Sequence, residues 1–273
     1  GDNNTGVGSE ALAKLTTGEK NTTVGESSGA AVTTGARNTL IGYAAGDAIT
    51  TGDDNVALGD GALGAATTAS DNVAIGAAAL NANTSGTDNV AVGTQAGIAV
   101  TTGSAVGFAA LAANTSGTSN TAVGTSALTA NTTASNNTAV GKGAADVNTT
   151  GTSLTAVGVN VLGANTTGSS NVGIGVDALN SNTTASNNTA VGTNALDANT
   201  TGGENTAVGL DALGANTTAA NNVAVGCASL AANLAADNTA VGRAALEANT
   251  TGANNTAVGS RTLDSNTTGA GGT

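Results

Sequence analysis

A glycine preceded by an aliphatic residue returns every seventeen residues along almost the whole chain. It stands at Gly8, Gly25, Gly42, Gly59, Gly76 and Gly93, and a fourteen-residue step leads to Gly107. Spacing returns to seventeen from Gly124 to Gly226, and one sixteen-residue step to Gly242 precedes Gly259. Self-similarity at a fixed short period describes a chain whose units cannot bury their own apolar side and must stack on their neighbours. The consensus unit reads N-T-A-V-G-x-x-A-L-x-A-N-T-T-G-x-x, and its positions are numbered here as slots 1 to 17. A strand-plus-helix repeat needs about 20 residues or more. Seventeen residues with a fixed Gly and an Asn-Thr-Thr-Gly turn leave room for short strands and turns only. The expectation is therefore all-β: a parallel β-solenoid, or β-roll, of sixteen coils, continuous over residues 1–273. At about 4.8 Å per strand such a stack measures roughly 75 Å.

The columns give the expected register. Slot 4 is Val, Ile or Leu in every coil, and β-branched residues repeated once per coil suit a stacked buried strand. This predicts a core column of Val7, Val24, Ile41, Leu58, Ile75, Val123 and Val140. Slot 9, Leu in twelve coils, predicts a second column that includes Leu63, Leu128 and Leu196. Slot 2, Thr or Val with Ser104 as the exception, shares the face of slot 4 by the period of two. On this register Val140→Asp frays its neighbouring coils. Slot 12 changes from Leu15, Val32, Ile49 and Ala66 to mostly Asn from Asn83 to Asn266, so it is expected to point inward as an Asn ladder. Slot 1 forms a second Asn column. Ala at slots 3, 8 and 11 is then left outward, an apolar surface of the kind that marks self-association. The two short coils lose residues at or beside slots 15 to 17, which marks that corner as a surface turn, with slots 6, 7 and 10 also outside.

Composition removes several function classes. A net charge of −12 is unsuited to binding phosphates, so no nucleic-acid partner is expected. No apolar run approaches the ~20 residues that cross a bilayer. Cys227 stands alone, and His is absent. Catalytic raw material is thus nearly absent, and neither an enzyme nor a metal or cofactor site is expected. Asp53, Asp54 and Asp71 fall in variable surface slots. N-x-S/T sequences at Asn83, Asn114, Asn131, Asn148 and onward to Asn266 allow glycosylation, but they lie in the column expected to be buried. Slot 13 carries Thr in every coil except at Leu234. Its column, including Thr16, Thr33, Thr50, Thr132, Thr200 and Thr267, offers an alternative role as an ice-binding β-solenoid.

The full unit N-T-A-V-G-x-x-A-L-x-A-N-T-T-G, present at Asn188 to Gly202 and Asn238 to Gly252, resembles repeats of phage tail-fibre-like and bacterial surface proteins. It is also similar to the head repeats of trimeric autotransporter adhesins, whose N/S-x-A-I-G motif lies on a left-handed parallel β-roll. The resemblance implies a left-handed roll and a homotrimer or filament. It also implies an extracellular location, on a cell-surface appendage or virion fibre, and a cell-surface or glycan receptor. Because both ends are in repeat phase and uncapped, the chain is expected to be a section of a longer fibre protein. The expected function is a structural, non-catalytic shaft with a possible adhesive role.

Overall fold

A computed structural model of the chain describes residues 1–272. The protein is all-β, with sixteen parallel strands in one sheet, ordered as they occur in the chain. Each strand occupies slots 2 to 4 of its coil, from β1 (Thr5–Val7) to β16 (Thr256–Val258), with the seventh and eighth beginning one residue earlier at slot 1. Partners lie one coil apart, as in Thr5↔Thr22 and Thr189↔Thr206, which makes the fold a β-solenoid of stacked coils. Among the described residues no helix is present. The chain divides into two compact units, Gly1–Asn136 and Asn137–Thr273. The first carries eight strands ending at β8 (Asn120–Val123), and the second eight starting at β9 (Thr138–Val140).

Both short coils keep their strands in register. Val90 of β6 (Val90–Val92) pairs with Ser104 of β7 (Gly103–Val106) across fourteen residues. Val223 of β14 (Val223–Val225) pairs with Thr239 of β15 (Thr239–Val241) across sixteen. The losses fall in the corner, as the spacing predicts. Slot 15 itself, however, is inside: Ala69, Ala134 and Ala185 are buried there, and only slots 16 and 17 reach the surface.

The main correction concerns which face of the strand is the core. Slot 3 points inward, with Ala57, Ala74, Ala139 and Ala207 fully buried and Leu40 and Thr23 in the same column. Slots 2 and 4 point outward. Val7 is 56% exposed, Ile41 39% and Val140 37%, while Val24, Ile75 and Val123 are also exposed and Leu58 is half-buried. The reason is parity. Slot 1 is an Asn held inside the coil, and residues two apart share a face, so slot 3 follows it inward. The small bore accepts a methyl group opposite the Leu of slot 9 and leaves the β-branched side chains outside. Leu63, Leu128 and Leu196 are fully buried, as expected. The Ala columns of slots 3 and 8 are buried too, so the outward apolar surface of the strands consists of slots 2 and 4, while slot 11, half-buried at most coils and exposed at Ala82, Val147 and Ala215, faces outward as expected.

Leu at slot 9 holds a left-handed backbone, with φ 57° at Leu63, 51° at Leu128 and 56° at Leu196. Non-Gly residues rarely adopt it, at a cost of order 1–3 kcal/mol. The conformation turns the longest apolar side chain of the coil into the bore. Where slot 9 is Gly (Gly29, Gly46, Gly97), slot 12 is Val32, Ile49 or Val100, and these side chains fill the space that the missing Leu leaves.

Two Asn ladders complete the interior. At slot 1, the Oδ1 of Asn38 accepts from the backbone N–H of Asn55 at 3.0 Å and from its Nδ2 at 3.0 Å, while Asn38 Nδ2 donates to the Gly52 carbonyl at 2.8 Å. At slot 12, Asn182 donates to Asn165 at 2.9 Å, Asn199 to Asn182 at 3.0 Å and Asn216 to Asn199 at 3.1 Å. A carboxamide carries both donor and acceptor, so an identical residue above and below satisfies it. This second ladder faults at the sixteen-residue coil. Asn233 turns its Nδ2 to the Ala235 carbonyl at 2.6 Å, and the buried Oδ1 of Asn216 is left without a partner.

Candidate interaction face

The outward side of the strands is the most distinctive surface. Slot 4 presents Val, Ile or Leu on every strand, and slot 2 presents Thr or Val except at Ser104. Exposed members include Val7, Ile41, Ile75, Val106 and Val123 in the first unit and Val140, Ile174 and Val258 in the second. Within a strand the two columns stand about 6.6 Å apart, and successive rungs about 4.8 Å apart. No charge interrupts them. Every Lys, Arg, Asp and Glu of the chain falls in slots 6, 7, 10, 11, 16 or 17. The face is therefore uncharged on a chain of net charge −12. It is flanked on one side by slot 6 and on the other by the slot-17 residue that precedes each strand. Apolar slot-6 residues extend it: Tyr43 is 59% and Phe108 52% exposed, and Val159, Val176 and Leu210 are also exposed.

The slot-13 Thr column lies elsewhere, at a corner, and its hydroxyls have structural work. Thr16 Oγ1 donates to the Thr33 carbonyl at 2.9 Å, Thr33 to Thr50 at 3.0 Å, Thr50 to Thr67 at 2.9 Å and Thr200 to Thr217 at 3.0 Å. Thr132 and Thr267 accept through their carbonyls from Thr115 at 3.2 Å and Thr250 at 2.9 Å. The column braces the corner from coil to coil. Most of its side chains are half-buried, with Thr16, Thr67, Thr84, Thr115, Thr217 and Thr267 exposed.

Of the slot-12 N-x-S/T asparagines, Asn83, Asn114 and Asn148 are closed to modification in the folded chain. Asn83, Asn114 and Asn148 are buried, and their Nδ2 atoms donate to the carbonyls of Gly86, Gly117 and Gly151 at 3.1, 2.8 and 2.9 Å. Glycosylation would have to use that same nitrogen.

Among the described residues, no three carboxylates or thiols gather where they could hold a metal ion. Asp53 and Asp54 instead meet Arg37. Its Nε and Nη2 reach Asp54 at 2.6 and 2.7 Å, and Asp53 lies 3.6 Å away. The hydrogen bond from Arg37 holds the Asp54 carboxyl below its ordinary pKa. At slot 10 the opposite holds: partial burial pushes the Asp47, Asp146 and Asp197 carboxyls up, against the pull of nearby backbone N–H groups. Among the described residues, no helix is long and apolar enough to cross a membrane.

No family model matches the chain, and neither a curated protein nor a solved structure does.

Proposed function

We propose that the chain is a structural, non-catalytic segment of an extracellular appendage or phage-like tail fibre, a rigid shaft with an adhesive role, and that it works as a homotrimer or filament. The observation that carries this reading is the uncharged aliphatic face. Long exposed apolar columns on a polar protein mark an interface, and here every coil of each unit presents them. The mechanism is mechanical. Asn ladders, Thr braces and buried Leu columns stiffen each coil against the next, and partner copies cover the Val columns. A cell-surface or glycan receptor then meets the variable outward slots. Neither nucleic acid nor a bilayer is a partner in this reading.

The test separates face from core. The triple variant Ile174→Asp, Val191→Asp, Val208→Asp keeps its circular dichroism spectrum but associates at least ten-fold more weakly than wild type in sedimentation equilibrium. A wild-type chain that stays monomeric at every concentration overturns the self-association.

Ice binding is a second reading, favoured by the regularity of the same face. It moves from the slot-13 Thr, whose hydroxyls brace the corner, to the Thr and Val columns of slots 2 and 4. It predicts thermal hysteresis of the purified protein, lost in the triple variant. The shaft reading predicts none.

A further inference from the structure

Within the second unit, the thirteenth coil (residues 205–221) and the fourteenth (residues 222–237) meet differently from the other neighbours. Elsewhere in that unit the corner at slots 12 and 13 is tied from coil to coil by an Asn side chain and a backbone bond. Asn182 Nδ2 reaches Asn165 Oδ1 at 2.9 Å, and the Thr166 N–H reaches the Thr183 carbonyl at 2.9 Å. Past the short coil the ties resume, with Asn249 Nδ2 on Asn233 Oδ1 at 2.7 Å and the Leu234 N–H on the Thr250 carbonyl at 2.9 Å. Between coils thirteen and fourteen neither tie is made. Asn233 Nδ2 turns to the Ala235 carbonyl, and neither the N–H nor the Oγ1 of Thr217 donates across the gap. Leu234, 52% exposed, stands where the other coils carry Thr.

The closure of the short coil is lost as well. A slot-1 Asn normally clips to the slot-15 carbonyl of its own coil, as Asn205 Nδ2 does to Ala219 and Asn238 Nδ2 to Gly252, both at 2.9 Å. Asn222 instead donates to Ala220 of coil thirteen at 3.2 Å. Deletion alone does not cause the fault. The fourteen-residue coil carries Val100 at slot 12, and Asn83 Oδ1 in the coil before it accepts from the Gly86 N–H at 2.7 Å. Among the described residues, Asn216 is the Asn whose buried Oδ1 has no partner, and water satisfies that oxygen once the corner parts. The rest of the junction holds. β13 (Thr206–Val208) pairs with β14, and the Leu213 and Ala215 N–H groups donate to the Ser229 and Ala231 carbonyls at 3.0 and 2.9 Å.

We propose that this corner is a built-in opening seam: coils thirteen and fourteen part at slots 12 to 17, hinged on the intact sheet, before any other pair of coils in the second unit opens. In a stack whose stability sums over neighbouring coils, the weakest junction sets where local opening begins. Here the junction combines a lost residue, a Leu in the Thr column and a buried acceptor that only the open state satisfies. The seam lets the unit yield at one corner while its strands stay paired. The inference concerns the single chain and does not depend on self-association.

Hydrogen exchange of the full chain, corrected for intrinsic rates, tests it. The Asp237 N–H donates across the seam to the Ala220 carbonyl at 3.2 Å, as Asn187 and Glu204 do to Ser169 and Ser186 at 3.1 and 3.2 Å in unbroken coils. The Asp237 amide exchanges at least about ten-fold faster than those two. Ala215, on the hinge side, keeps the rate of Ala164, which makes the equivalent bond to Asn180. An Asp237 rate equal to that of Glu204 overturns the seam, and an Ala215 rate as fast as that of Asp237 overturns the hinge. Thermolysin, which cuts before apolar residues, makes its first cut within the second unit at Leu234, and a first cut elsewhere in that unit counts against the proposal. A repaired chain combines Leu234→Thr and Ala235→Thr with one Gly inserted after Ala236, which restores the seventeen-residue coil. Its Asp237 amide slows to the rate of Glu204. Fast exchange that persists in a repaired chain of native circular dichroism overturns the assignment to the missing ties. If the repaired chain does not fold, the wild-type rates and cut site decide.

Discussion

At the scale of single residues, the interior tolerates few substitutions because each slot has a fixed role. Thr23 is the informative exception. It occupies the buried slot 3, and its Oγ1 has no hydrogen-bond partner. An unpaired buried hydroxyl costs about 1–3 kcal/mol. Thr23→Val keeps the shape and removes the hydroxyl, so it raises stability by about 1 kcal/mol, read as a higher urea midpoint at unchanged slope. Gly175 lies at the other extreme. Its φ is +128°, and a Cβ there would stand 2.6 Å from the Gly192 carbonyl oxygen of the next coil. Gly175→Ala combines backbone strain with a backbone clash and lowers the midpoint by several kcal/mol equivalent, about 3 or more. The Gly of slot 5 was legible as a corner from its period alone. The Leu of slot 9 was legible as core, but its left-handed backbone was not, since Leu carries no propensity signal for it.

At the scale of the coil, burial decides what a substitution does. Leu196→Ala empties the bore of its largest side chain and costs about 2–5 kcal/mol. Repeat stability is a sum of coil and neighbour terms, so hydrogen exchange accelerates first in the coils beside it. Val140→Asp behaves otherwise. Val140 is exposed on the sheet face, so the variant melts within a few degrees of wild type while associating more weakly. A melt that collapses by tens of degrees would restore slot 4 to the core. The column was misread because β-branching has two causes, burial and strand preference, and the pattern shows the residue type without the cause. What could have resolved it was the Asn of slot 1. An Asn ladder inside the coil fixes the parity of slots 1 and 3. Its partner, the slot-15 carbonyl fourteen residues on, is a tertiary contact invisible in one repeat.

At the scale of the whole molecule, titration sets the pH response. Asp47, Asp146 and Asp197 have carboxyls raised by burial. A raised carboxyl favours the protonated folded form, so these three add stability as pH falls through their folded pKa values and withdraw it above them. Asp54, held down by Arg37, works in the opposite direction but is exposed and screened. Acidification also reduces the charge of −12. The thermal midpoint therefore rises between pH 7 and about pH 4.5, as scanning calorimetry reads it. A midpoint that falls over that window would mean the slot-10 carboxylates are stabilised as anions. The sequence by itself determined the solenoid, its seventeen-residue period, its sixteen rungs, the Leu column and the corner that absorbs the two deletions, because periodicity and tolerance to loss are one-dimensional signals. Only the tertiary structure decided which face of each short strand is inside. That choice rests on the Asn ladder and the width of the bore, which exist only once one coil lies on the next. It placed the Val and Thr columns outside and so created the face on which the proposed function depends.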